Sequence, residues 1–172
     1  MMSLRIMPFG EVPKEVINAV EEELRNSFSI LCDISEPLGM PKEFYNNIRH
    51  QFLSNRVLDF VANKFKGRIL AITDEDLYSE DMNFIFGQAE LPGRVAIVSV
   101  CRLNPTFYRQ SPDRDLLKER AVKEAVHEFC HAVYGMSHCQ NPKCVMSFSN
   151  NVIDVDRKSK HLCEDCKSRL GI

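Results

Sequence analysis

The stretch KEAVHEFCHAVYGMSHC, from Lys123 to Cys139, decides how the rest of the chain is read. His127 and His131 stand four apart, a spacing that stacks two side chains on one face of an α-helix, so two imidazoles reach a single ion. Glu128 follows the first histidine, about 100° further round the helix, which sets a carboxylate beside such an ion rather than on it. His138 supplies a third imidazole beyond Gly135. Three neutral imidazoles leave zinc a fourth position for water, whose pKa zinc lowers to roughly 7. Glu128 stands where a general base takes that proton. HExxH alone occurs in unrelated proteins, where the histidines are polar residues on a helix and the glutamate a solvated carboxylate; the third histidine and the surrounding helix favour the metal reading.

That helix is expected over SPDRDLLKERAVKEAVHEFCHAVYG, opened by Ser111 as N-cap with Pro112 in the first turn and closed at Gly135. Upstream, SLRIMPF reads as a strand and PKEVINAVEEELRNSF as a helix with Val16, Ile17, Val20 and Leu24 at helical spacing. SILCDIS gives a second strand, Asn46 to Phe65 a second long helix, and RILAITD a third strand. NFIFGQAE and RVAIVSV flank the turn LPG and are expected to pair, the second as a central strand apolar on both faces. The fold class is therefore α/β: a mixed, twisted sheet covered by helices, with a long helix carrying the histidines.

A second constellation follows. Cys139 and Cys144 enclose four residues, Cys163 and Cys166 two, and 18 residues lie between the pairs. Two such knuckles close a tetrahedral tetrathiolate site whose zinc has no position left for water and is structural. Binding there can contribute on the order of 10 kcal/mol to folding, which suits a C-terminal segment with little aliphatic periodicity. Cys32, Cys101 and Cys130 are expected in packing roles, and His50 and His161 are set aside as isolated histidines. Residues 1–172 are expected to form one domain, 1–135 holding the sheet and helices and 136–172 a small zinc-stapled subdomain. The 22 basic and 24 acidic side chains are balanced, which indicates neither a nucleic-acid groove nor a polybasic membrane surface. No membrane span or signal peptide is apparent, so a cytoplasmic monomer is expected.

HEFCHAVYGMSHCQNPKCVMSFSN followed by LCEDC resembles the archaemetzincin family of metzincin zinc peptidases, over residues 123 to 170. The resemblance implies that His127, His131 and His138 ligate a catalytic zinc, that Glu128 is the general base, and that Met146 is the Met-turn residue under the site. It also implies an edge strand that holds extended peptide by backbone pairing, for which NFIFGQ is the candidate. The family has two residues between the second histidine and the glycine, whereas this chain has three, Ala132, Val133 and Tyr134. A widened, π-type last turn would absorb the surplus and keep His138 on the metal. The expected function is a zinc metalloprotease, aminopeptidase-like or hydrolysing small peptides, with two zinc ions. The alternatives are a zinc-binding interaction module disabled by the extra residue, and, from the cysteine pairs alone, a nucleic-acid-binding knuckle.

Overall fold

The computed structural model describes residues 1–172. In chain order the elements are β1 (Ser3–Phe9), α1 (Lys14–Phe28), β2 (Leu31–Ile34), β3 (Tyr45–Asn46), β4 (Gln51–Leu53), α2 (Ser54–Lys64), β5 (Ile69–Thr73), β6 (Leu77–Tyr78), β7 (Gly87–Ala89), β8 (Val95–Ser99), α3 (Arg114–Tyr134), α4 (Val152–Arg157) and α5 (Glu164–Leu170). Five strands form one mixed sheet in the order β2-β1-β5-β8-β7; β7 alone runs antiparallel, at an edge. β5 and β8 are buried at every residue, as strands covered on both faces must be. Leu70 and Ile72 pack toward α1 and α3, whereas Ile69 and Ala71 pack with Val57, Leu58 and Val61 of α2. Helices thus cover both faces of the sheet.

Three expectations are corrected. The long helix expected over Asn46 to Phe65 begins only at Ser54. The Asn46 Oδ1 accepts from the N–H groups of Ile48 and Arg49, His50 adopts φ 56°, and the chain makes the short strand β4 before turning helical. An Asn side chain offering backbone N–H groups a local partner competes with helix formation. The second correction concerns NFIFGQAE, of which only Gly87–Ala89 pairs with β8, while Ile85 bridges back to Leu77. Finally, the N-cap of α3 is Asp113 rather than Ser111, its Oδ1 accepting the N–H of Leu116 at 3.0 Å.

α3 carries its polar residues into the interior. Arg120, Lys123, Glu124 and His127 follow one another at helical spacing and are all buried. Each has a partner from the C-terminal segment: Arg120 donates bidentately to Asp156 at 2.7 and 2.8 Å, and the Lys123 ammonium donates to the carbonyls of Val155 and Asp156. Glu124 pairs with Lys158 at 2.8 Å, a close ion contact without hydrogen-bond alignment. This face fastens α4 to α3 immediately ahead of the histidines. No helix is long and apolar enough to cross a membrane.

Candidate active site

α3 presents His127 and His131 at the sheet edge formed by β7, with ring centroids 4.5 Å apart. The Nδ1 of His127 donates to the Val145 carbonyl at 2.8 Å, and the Nδ1 of His131 to the Met136 carbonyl at 2.5 Å. With both Nδ1 protons so committed, the two Nε2 lone pairs face each other at 3.0 Å. Two lone pairs at that distance repel unless a cation lies between them, and tetrahedral zinc would hold its nitrogens about 3.3 Å apart. His138 joins them, its ring 5.3 Å from that of His127 and 4.9 Å from that of His131. One nitrogen from each of the three lies within 4.8 Å of the others, so this donor set fits a single metal ion.

Electrostatics favours the same state. Burial, assisted by the Lys158 charge, holds His127 well below the ordinary histidine range. Burial likewise lowers His131 and His138, so all three imidazoles are neutral at neutral pH, as ligation requires. Glu128 is buried and pushed well above the usual carboxylate range, first by desolvation and then by the neighbouring Glu124 charge, against the pull of Lys158. Its side chain lies against the edge strand. A Cβ built on Gly87 would fall 2.7 Å from Glu128 Cγ, 2.8 Å from Oε1 and 2.7 Å from the Ile97 carbonyl oxygen, so only glycine fits there.

The surplus residue is absorbed differently from the π-type turn expected. α3 stays α-helical through Tyr134, and Gly135, at φ 62°, reverses the chain. Its N–H is directed at both the His131 and Cys130 carbonyls, and the Met136 N–H reaches back six residues to Cys130 at 3.3 Å. An ordinary glycine cap closes from that position over five residues, so the widening lies in the cap and not in the helix. The Ala132 carbonyl then lacks a helical partner. It accepts instead from Gly93, in the hairpin turn between β7 and β8, at 2.8 Å.

The four cysteines also converge, their sulfurs within 4.8 Å of one another. Cys139–Cys163 and Cys144–Cys166 are each separated by 3.8 Å. That is far beyond a disulfide bond, and it matches the roughly 3.8 Å edge of a tetrahedron with about 2.3 Å zinc–sulfur bonds. Backbone N–H groups of Asn141, Met146 and Cys163 point at the sulfurs of Cys139, Cys144 and Cys144, stabilising thiolates. Cys130 is fully buried, whereas Cys32 and Cys101 are partly exposed; none of the three belongs to the cluster. His50 contacts Tyr45 and His161 lies near Glu23, and neither belongs to the two clusters.

Met146 is buried in the turn 144–147, and its carbonyl accepts from Cys139, the neighbour of His138. Phe148 lies 5.2 Å from the His138 ring. A cavity of about 220 Å³ opens over the histidines, walled by Phe84, Phe86, Gln88 and Leu91 on one side and by Phe148 and Asn150 on the other. A larger depression of about 740 Å³ lies between α1 and residues 156–161; charged side chains line most of it and it holds none of the three clustered histidines. Sequence reading passed over Glu124 and Lys158. Glu124 stands one turn before Glu128 on the same helix and could have been found by spacing, but nothing local marks Lys158.

Residues 40–171 match the profile of Peptidase family M54. The chain is similar to the archaemetzincin of Methanocaldococcus jannaschii, 40% identical over 169 residues that cover 98% of this chain and 93% of the relative. The Pyrococcus furiosus archaemetzincin is 41% identical over 174 residues, covering 96% and 90%. The crystal structure of archaemetzincin from Methanopyrus kandleri aligns with a TM-score of 0.86 at 37% identity, over 99% of this chain and 93% of that one. The Archaeoglobus fulgidus archaemetzincin, solved in complex with malonate, gives 0.85 at 36% identity, over 98% and 99%.

Proposed function

Because this chain belongs to Peptidase family M54, the archaemetzincins, and is a zinc metallopeptidase, we propose that His127, His131 and His138 hold its catalytic zinc and that Glu128 is the general base of peptide-bond hydrolysis. Cys139, Cys144, Cys163 and Cys166 hold a second, structural zinc, so the chain carries two ions and works as one catalytic unit. The catalytic ion, when bound, supplies Lewis acidity, acidifying water and polarising a peptide carbonyl. The chain's own groups do the rest. Burial raises the proton affinity of the Glu128 carboxylate, which suits it to accept a proton from water and return it to the amine nitrogen as the peptide bond breaks. Val145 and Met136 hold the imidazole orientations through their carbonyls. β7 offers an open antiparallel edge to an extended peptide, and the apolar wall of the cleft suits an uncharged side chain.

The observation that carries this reading is the closure of three imidazole nitrogens within 4.8 Å, with Glu128 against the edge strand. The same closure argues against a site disabled by the additional residue. The test is elemental analysis of purified protein together with cleavage of a mixed peptide library before and after chelation. Two zinc ions and chelator-sensitive cleavage are expected; well-folded protein with two zinc ions and no cleavage of any peptide would favour the interaction module instead.

A further inference from the structure

Lys158 is fully buried, an uncommon place for an ammonium unless it has a task there. Its Nζ contacts Glu124 Oε1 at 2.8 Å and donates to the Ser147 carbonyl at 3.3 Å. Glu124 lies one turn before His127 on α3, and Ser147 lies two residues beyond Val145, whose carbonyl receives the His127 Nδ1 proton. The contacts therefore close a ring: His127, Val145, Ser147, Lys158, Glu124 and back along the helix to His127. Three successive carbonyls in this turn have fixed tasks. Val145 orients His127, Met146 accepts from the neighbour of His138, and Ser147 accepts from Lys158.

We propose that Lys158 is a positioning residue for the histidine centre, an internal brace that fixes the 145–147 turn against α3 and so sets the orientation of His127 toward the metal. This rests on the reading of the three histidines as ligands of the catalytic zinc. Glu124 anchors the brace to the helix, and the ammonium's donation to Ser147 holds the turn. Groups that orient ligating histidines typically change metal affinity by about 10–100-fold when removed. A buried pair serving only to balance charge behaves differently: removing both charges together restores the native state, because no uncompensated ion remains.

The experiment compares native protein with Lys158→Met and with the double variant Glu124→Gln/Lys158→Met, each with zinc in the cysteine site. Cobalt(II) is titrated into the histidine site and followed by its ligand-field absorption, beside thermal melts and library cleavage. The proposal expects both variants to bind cobalt about 10–100-fold more weakly with altered bands, and the double variant to melt near the native temperature. The double variant keeps the test open should Lys158→Met alone fail to fold. Native cobalt affinity and spectrum in the double variant would show that Lys158 merely balances Glu124, and would overturn the brace. Native protein that binds no cobalt outside the cysteines would overturn the ligand assignment and the brace with it.

Discussion

Gly87→Ala tests how closely the edge strand and Glu128 are fitted. The added Cβ would lie 2.7 Å from Glu128 Cγ and 2.7 Å from the Ile97 carbonyl oxygen, whereas ordinary contact begins at 3.4 Å. Glu128 could swing aside, but the Ile97 oxygen belongs to the central strand β8 and cannot. Strand β7 must therefore move by at least about 0.7 Å, and Glu128 with it, in an interior packed near crystal density. Overpacking of this kind costs about 1–3 kcal/mol, a drop of roughly 2–12 °C in melting temperature for a chain of this size. A misplacement near 1 Å can lower a rate by about 10²-fold. The variant should therefore stay folded, keep both zinc ions, and cleave a peptide library about 100-fold more slowly. Zinc content by elemental analysis and initial rates by mass spectrometry decide the matter. Turnover within about threefold of native, with both ions present, would refute the claim that β7 and Glu128 are fitted to each other.

Three further outcomes are expected. Glu128→Gln should keep both zinc ions and lose about 10²–10⁴-fold in turnover; loss of zinc would instead make Glu128 a ligand. Cys163→Ser should release the structural zinc and expose residues 139–170 to limited proteolysis while amides of β1, β5 and β8 stay protected against hydrogen exchange, and an unchanged digestion pattern would contradict it. Glu23 would be raised by burial, but the Lys160 ammonium, the Ser27 hydroxyl and the His161 charge together hold it below the usual carboxylate range. A depressed folded pKa contributes stability that is present above the unfolded value, near 4.5, and is lost as pH falls through the folded one. Glu23→Gln should therefore cost up to about 1 kcal/mol at pH 7, a modest figure because Lys160 is half exposed. The deficit in urea melts should shrink toward pH 3, and a deficit that grows on acidification would reverse the assignment.

The parts of this molecule written in local periodicity were legible from sequence. β1, α1, β5 and β8 announce themselves through apolar spacing and run within a residue or two of where they were expected. The histidine and cysteine groupings were legible because ligand spacing on a helix or knuckle is itself a local geometry. Asn46 shows where this stops: its side chain captures two backbone N–H groups, and that competition is invisible to a hydrophobic pattern. The short strands β3, β4 and β6 were missed for a related reason, since two or three residues carry no period. Lys158 marks the deeper limit. Its burial is decided by Glu124, 34 positions earlier, and by a carbonyl that any residue could supply.

The widened cap at Gly135 carries a lesson about length. Six residues separate His131 from His138, yet both rings meet His127 because the anchoring points on either side are held independently: the helix by its own bonds, the turn by the donors its carbonyls accept from. Slack between two pinned ends can be spent in the link without disturbing either, and the Gly93 N–H takes up the carbonyl that the slack sets free. Distance along the chain is then a poor proxy for distance across the site. Insertions or deletions falling between His131 and Gly135 should be survivable in proteins of this architecture, provided a neighbouring strand turn can cap the loose carbonyl. The same change between His127 and His131 would rotate one imidazole away from the other.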